Sequence, residues 1–379
     1  MSIKAITRST GTYTKINDTQ YFTPAPLPPR NPELQLSADI LSLYGEASFA
    51  LGQLNEMSLR LPNPNRFIRA YVIKEALLSS AIEGIHTTLI DVLTTPIGAD
   101  KLNKNTQLVI NYTKALETAL DLIENKHMPL VSRVILQTHK VLMSRGAGDG
   151  ANPGHYRQQS VRVGNLVPPP ATQIPNLMSD LEKYINEESN LPLLIQAGLA
   201  HVQFETIHPF LDGNGRIGRL LIVLMLISKG LIDLPVLYPS YYFKKHRFEY
   251  YQRLDDVRKY GDYEGWIKYY LTAVRESALD AHRRAREIET LENNLKERIQ
   301  HDENLNAMRG TVIQALEALF DKPAMSITEL SIILGNAYNT SAGIMKYLCD
   351  INIVSETMIN LKTKRYRFDK YIGILEKEY

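Results

Sequence analysis

Residues 1–35 are polar and then proline-rich (Pro24, Pro26, Pro28, Pro29, Pro32), a pattern that predicts a segment running extended over a surface. From Ser37 the apolar positions fall into a helical period. Pro62 and Pro64 bar an earlier start to the next element, Asn65 can cap it, and Ile73, Leu77 and Ala81 recur four apart. These features predict a helix over Asn65 to Gly84. Thr106 to Glu124 and Pro129 to Ser144 read as further helices. The pattern then changes: Gly154-His-Tyr-Arg, Val161-Arg-Val-Gly-Asn-Leu-Val and Pro168-Pro-Pro predict a short hairpin ended by prolines. Ile174 to Asn186 and Pro192 to Ile207 return to helical period. Leu220 to Lys229 is strongly apolar and stops at Gly230, which predicts a helix filling the centre of a helical domain. Glu264 to Gln300 is helical and increasingly charged, as suits a linker helix with a solvated face.

The last segment has its own pattern. Helical stretches at Ala307 to Phe320, Ile327 to Leu334 and Thr340 to Asp350 precede Ile353-Val-Ser-Glu-Thr and Arg365-Tyr-Arg-Phe. Three short helices and a two-stranded wing predict a winged helix-turn-helix. From Ala307 onward nine basic residues face eight acidic ones, and the helix from Thr340 carries only Lys346 as a base. That balance is weak for phosphate-backbone binding, so protein contact is favoured over DNA.

The chain has 379 residues and a formal charge of +2, so no strongly basic or acidic partner is implied globally. Cys349 is the one cysteine, which excludes an intramolecular disulfide and points to a reducing compartment. The first residues hold no apolar run of signal-peptide length, and Leu220 to Ile227 is too short to span a bilayer. A cytoplasmic protein with no membrane partner is expected.

The densest chemistry lies in His208-Pro-Phe-Leu-Asp-Gly-Asn-Gly-Arg-Ile-Gly-Arg219. It contains G-x-G-x-x-G, and Asp233 lies near the spacing of a ribose-binding acid. A dinucleotide fold would need a buried strand before those glycines, and here a helix precedes them. An anion-binding loop at a helix N-terminus fits better. Gly213 and Gly215 free the backbone so that successive amides can converge, and the helix beyond adds its positive end. Asn214 offers an amide to a phosphate oxygen. Arg216 and Arg219 share a helix face and suit a polyphosphate. Asp212 beside phosphates fits Mg²⁺, and His208 is spaced to take a proton from an attacking hydroxyl.

These twelve residues match H-x-F-x-[DE]-G-N-G-R-x-x-R at every position and so resemble the signature of Fic-domain proteins. Gly154 to Pro170 resembles that family's target-docking flap. Tyr250-Tyr251-Gln-Arg-Leu254 and Gly261-Asp262 resemble its region beside the adenine pocket. The resemblance covers roughly residues 40 to 285 and implies a mainly α Fic helical bundle with a small β-hairpin flap, followed by the winged helix-turn-helix domain. The divisions expected are 1–98, an extended segment and helical region; 99–285, the catalytic core; and 286–379, linker helix and winged-helix domain. The activity implied is transfer of AMP from ATP to a Tyr, Thr or Ser hydroxyl of a protein, with release of pyrophosphate. By position, His208 would be the base and Asp212 the ligand of Mg²⁺ (or Mn²⁺). Asn214 and the amides of Gly213 and Gly215 would serve the α-phosphate, Arg216 the β-phosphate and Arg219 the γ-phosphate. Tyr250 would lie by the adenine.

Glu83 closes its helix just before Gly84, where a carboxylate opposes the dipole at a cost of about a few tenths of a kcal/mol. Ser79-Ser-Ala-Ile-Glu83-Gly84 matches [ST]-x-x-x-E-[GN], which resembles the family's inhibitory motif, in the class with an N-terminal inhibitory helix. The resemblance implies that Glu83 pairs with Arg219 and denies it to the γ-phosphate. Other expectations stay open: phosphate or phosphocholine transfer on the same fold, a nucleotide-sensing DNA-binding regulator, and a homodimer.

Overall fold

The structure, a computed structural model, describes residues 8–60, 63–94, 103–144, 152–305, 308–360 and 363–377. The expected division at 98/99 lies outside them. Fifteen α-helices are present among the described residues. They are α1 Ala38–Arg60, α2 Pro64–Ile82, α3 Leu89–Thr94, α4 Lys104–Leu120, α5 Ser132–Leu142, α6 Ile174–Asn186, α7 Leu193–Ile207, α8 Asn214–Ser228, α9 Ser240–Lys245, α10 Arg247–Tyr260, α11 Tyr263–Gln300, α12 Arg309–Asp321, α13 Ile327–Leu334, α14 Tyr338–Asp350 and α15 Asp369–Glu376. The strands are β1 Gly11–Ile16, β2 Thr19–Pro24, β3 Ala324–Met325, β4 Ser355–Asn360 and β5 Thr363–Arg367. Two compact units result: Met1–Glu56 with Tyr71–His86 and Asn103–Ala281, and Met57–Ala70 with Thr87–Leu102 and His282–Tyr379.

The first unit is built around α7 and α8. Every residue from Leu194 to Ile207 is buried, as expected of a helix enclosed on all sides. The α8 helix is buried from Ile217 to Ile227 and packs along α7. It begins at Asn214, a turn and a half before the apolar run, because helical backbone continues through the polar motif. The α4, α5 and α6 helices pack around this pair. On another side the Trp266 indole donates to the Gly198 carbonyl at 2.8 Å. Glycine at 198 lets the Tyr270 ring close in; a Cβ there would stand 2.6 Å from its Cδ1.

Three local readings change. Residues 11–24 do not simply run extended: β1 and β2 pair antiparallel from Gly11–Pro24 to Ile16–Thr19. Asn17 and Asp18 make the turn with φ of 46° and 61°, the left-handed pair that a two-residue hairpin needs. In the 154–170 stretch, pairing is limited to one antiparallel bridge, Val163–Leu166, around Gly164-Asn165. Its backbone is instead met from outside, where the Phe22 amide donates to the Val167 carbonyl at 2.9 Å. Helix α2 starts at Pro64, not Asn65. Proline is tolerated where no amide partner is required, and the Asn63 side chain accepts from the Arg66 amide at 3.2 Å.

In the second unit α12 leads into β3, α13 and α14 follow, and β4 and β5 complete a three-stranded antiparallel sheet of order β3-β5-β4. Ser326 and Glu329 form a capping box at the start of α13, and Gly335 ends it in the left-handed region. Phe320, Phe368 and Tyr371 pack edge-on or tilted into one aromatic cluster, with Arg66 over the Phe320 ring. Arg66 also pairs with Glu292 at 3.2 Å and Asp321 at 2.8 Å. No helix among the described residues is long and apolar enough to cross a membrane.

Gly198→Ala is expected to lower the stability of the first unit by about 1–3 kcal/mol through overpacking against Tyr270. Urea unfolding checks this, and an unchanged midpoint would contradict the close approach.

Candidate active site

The motif is the turn joining α7 to α8. Two residues make it possible: His208 at the end of α7 has φ 49°, and Gly213 before α8 has φ 81°. A Cβ on Gly213 would also meet Met143 Sδ at 2.9 Å. Asn214 braces the turn from within, accepting from the Phe210 amide and donating to the Phe210 carbonyl, both at 2.8 Å. Its amide is thus spent on the loop, which departs from the expectation that it faces a phosphate. No side chain caps α8 among the described residues. The first amides of α8 therefore stay available to an anion at its positive end.

His208 is half-buried. Burial is the main cause that pulls its pKa down to about 4, so the ring is neutral at ordinary pH. Its Nδ1 faces the Glu205 carbonyl at 3.4 Å. A carbonyl only accepts, so Nδ1 carries the proton and Nε2 is left as a base. Asp212 keeps its side chain 61% exposed, with Arg216 Nη2 at 3.5 Å. Arg216 itself is buried, and its Nε and Nη1 find no hydrogen-bond partner among the described residues.

Arg219 is 1% exposed and is met almost wholly by α2 and the turn after it. Nε donates to Ser79 Oγ at 2.8 Å, and Nη2 donates to the Ser79 carbonyl at 2.9 Å and to Glu83 Oε1 at 2.7 Å. Glu83 lies one residue beyond α2. The chain turns there with Gly84 at φ 80°, and the Ile85 amide reaches back to the Ser80 carbonyl. Gly215 provides the space: a Cβ there would stand 2.1 Å from Glu83 Oε1 and 3.0 Å from Arg219 Nη1. Burial alone would raise the Glu83 pKa, but the charge and hydrogen bond of Arg219, with Arg216 and His208, outweigh it and hold it low.

The structure therefore gathers Ser79, Glu83, Gly215, Arg216 and Arg219 around one point. Gly84 shapes the turn rather than touching it. Tyr250 is not open to a ligand: it is buried, and its hydroxyl meets His201 Nε2 at 2.9 Å. The neighbouring Tyr251 is exposed instead.

Sequence reasoning missed four residues. Glu75 and Glu205 are buried carboxyls that burial raises to about 7, each partly restrained by Arg219. His139, pushed by burial to about 4, stacks on Phe210 with ring centroids 3.7 Å apart. Its Nδ1 accepts from the Gly154 amide at 2.9 Å and its Nε2 meets the Asp212 carbonyl at 3.0 Å. Arg157 is buried and donates to main-chain carbonyls of the 154–170 stretch and the motif. The signal available was an arginine before an apolar, proline-ended stretch and a histidine on the inner face of α5.

Known proteins resemble this chain in sequence and in fold. Residues 129–226 match the Fic/DOC family and residues 41–121 match the Fic/DOC family N-terminal region. "Protein adenylyltransferase Fic" of Drosophila erecta is 34% identical over 150 residues, 39% of this chain and 28% of that protein. "Protein adenylyltransferase fic-1" of Caenorhabditis elegans is 31% identical over 150 residues, again 39% and 28%. The matched stretch thus spans less than a third of those relatives. A solved Fic family protein from Desulfovibrio desulfuricans G20 aligns with TM-score 0.57 and 26% identity, covering 88% of this chain and 97% of that one. Fic-1 of C. elegans aligns with TM-score 0.52 and 21% identity over 66% and 74%, a likeness of fold. The chain has the Fic fold, with a Fic/DOC segment preceded by its N-terminal companion.

Glu83→Gln is expected to destabilise the fold by about 1 kcal/mol at neutral pH, less than a fully buried hydrogen bond to a charged group contributes, because the Glu83 side chain is partly exposed. A carboxyl whose folded pKa is depressed contributes above its unfolded value, near ~4.3, and loses that contribution as pH falls through the folded value. The gap between the two proteins should therefore close in acid. Thermal melts at neutral pH and below pH 4 check this; a constant gap would refute it.

Proposed function

We propose that this chain is a protein adenylyltransferase, autoinhibited by Glu83, that transfers AMP from ATP to a Tyr, Thr or Ser hydroxyl of a protein, itself included. The observation that carries the reading is Arg216. A buried guanidinium with unpartnered nitrogens, beside an uncapped helix start, is costly without a ligand and suits a polyphosphate. The names borne by the curated relatives support nucleotide transfer over other phosphate chemistry.

In this reading a protein hydroxyl attacks the α-phosphorus. An oxygen–phosphorus bond forms, the bond to the bridging oxygen breaks and pyrophosphate leaves. His208 Nε2 takes the hydroxyl proton. The amides at the start of α8 face the charge that develops on the α-phosphate, and Asn214 acts by holding their loop. Arg216 takes the β-phosphate. Arg219 takes the γ-phosphate once Glu83 withdraws; with Glu83 in place, the nucleotide sits misplaced for in-line attack. The exposed Asp212 would hold a Mg²⁺ (or Mn²⁺) ion. Such an ion would offset phosphate charge. The target protein would lie along residues 154–170 by backbone pairing.

The C-terminal helices and sheet support a winged helix-turn-helix that contacts protein. Three basic residues of its wing are already opposed: Lys364 pairs with Glu356 at 2.7 Å, Arg365 with Glu329 at 3.7 Å and Arg367 with Asp369 at 3.3 Å. These pairs compete with DNA phosphates for the same cations.

The test is target-free incubation with Mg²⁺ and ATP labelled at the α-phosphate, with mass spectrometry of the product. Glu83→Gly should raise self-labelling at least tenfold, and adding His208→Ala should abolish it. Equal labelling in the natural chain and Glu83→Gly would overturn the inhibition, and an added phosphate would overturn AMP transfer. A second expectation concerns pH. Because His208 is held near 4, the acid limb of kcat/KM for Glu83→Gly should lie near pH 4. A limb near ~6.5, the free-imidazole value, would show an unperturbed base.

A further inference from the structure

Arg157 is fully buried, yet no carboxylate pairs with it among the described residues. Four of its five N–H donors go to main-chain carbonyls. Nε donates to the His208 carbonyl at 2.8 Å, Nη1 to Gln159 at 2.9 Å and Nη2 to Pro169 at 2.7 Å, with Ile207 at 3.5 Å. Its own amide donates to the Pro209 carbonyl at 2.8 Å. One planar guanidinium thus holds both ends of the 159–169 segment and the peptide of His208. That peptide is where a non-glycine residue sits at φ 49°, a conformation that persists only when its surroundings enforce it. At the near end of the same segment, His139 joins the Gly154 amide to the Asp212 carbonyl. Gly154 donates and the Asp212 carbonyl accepts, so only the neutral Nε2–H form of the ring satisfies both.

We propose that Arg157, seconded by His139, is a positioning residue that makes the 154–170 segment and the His208 turn one rigid piece, and so sets the distance between a hydroxyl docked on that segment and the His208 base. The proposal rests on the AMP-transfer reading for its consequence and on the hydrogen bonds alone for its geometry. A fork is required. Lysine would keep the charge but could not serve carbonyls on both sides at fixed angles. Binding of the nucleotide, which uses α8, Arg216 and Arg219, should be left alone.

Two measurements test it on the full chain. In the Glu83→Gly background, Arg157→Lys should lower the rate of AMP transfer at least tenfold while the dissociation constant for ATP with Mg²⁺ stays within twofold. Transfer within threefold of the parent, or affinity and rate falling together, would overturn it. Should Arg157→Lys fail to fold, hydrogen exchange on the unsubstituted chain decides. Peptides covering 157–169 and 207–210 should show the same opening rate and the same dependence on added urea. Exchange of the first while the second stays protected would overturn the coupling. Absence of AMP transfer in every variant would refute the function, whereas the exchange result would still decide the geometry.

Discussion

The buried guanidinium of Arg219 is the constraint on which the site depends. It projects from α8 into the core, where an unpaired charge would cost several kcal/mol. The α2 helix and the turn after it answer it, through a hydroxyl and a carbonyl of Ser79 and a carboxylate of Glu83. Two glycines clear the approach. Gly215 leaves room for Glu83, and Gly218 for Glu205, whose Oε1 would stand 2.4 Å from a Cβ there. Among the three carboxyls near Arg219, Glu83 touches it and is held low. Glu75 and Glu205 lie deeper and rise to about 7, because burial outweighs the distant charge. Desolvation and contact thus sort chemically identical groups into different states.

The same contest decides the state of His208. It sits at the C-terminal end of α7, where the helix dipole favours a protonated ring. Burial wins by a wide margin, since dipole effects are about 0.3–1 kcal/mol and a shift from 6.5 to about 4 is larger. A neutral base and an uncapped helix start meet because His208 and Gly213 both take left-handed backbone conformations. That brings the end of α7 and the start of α8 to one place.

Much of this was legible from local pattern. Ile174–Asn186 and Ile327–Leu334 are helices with the expected bounds, because apolar period and flanking breakers agree there. The pairing of Glu83 with Arg219 was readable only through the resemblance of Ser79 to Gly84 to an inhibitory motif, since a carboxylate at a helix end by itself reads as an exposed, tolerated glutamate. What was not legible depended on tertiary partners. The β1–β2 hairpin hides in a polar segment whose turn, Asn17-Asp18, lacks glycine. Tyr250 and Tyr251 look equivalent in sequence, and only the packing of α10 against α7 buries the first on His201. Arg157 binds carbonyls, which every residue owns, so no sequence pattern marks its partners.

The way Glu83 is held bears on how it could be released. Its side chain is 32% exposed while its partner is 1% exposed, so an incoming anion can reach the carboxylate side of the pair without entering the core. Ser79 keeps its own two contacts with Arg219 from within α2, independent of the carboxylate. Glu83 instead lies in the turn past the last helical residue, next to a glycine at φ 80°. Swinging it away needs a change in one turn and one side chain, not detachment of α2. The guanidinium would stay anchored by serine throughout, with Nη1 toward Gly215 and the start of α8. Under the proposed autoinhibition, α2 would hold the cation through Ser79 while the turn after it would block the cation through Glu83, so scaffold and inhibitor would fall on different residues.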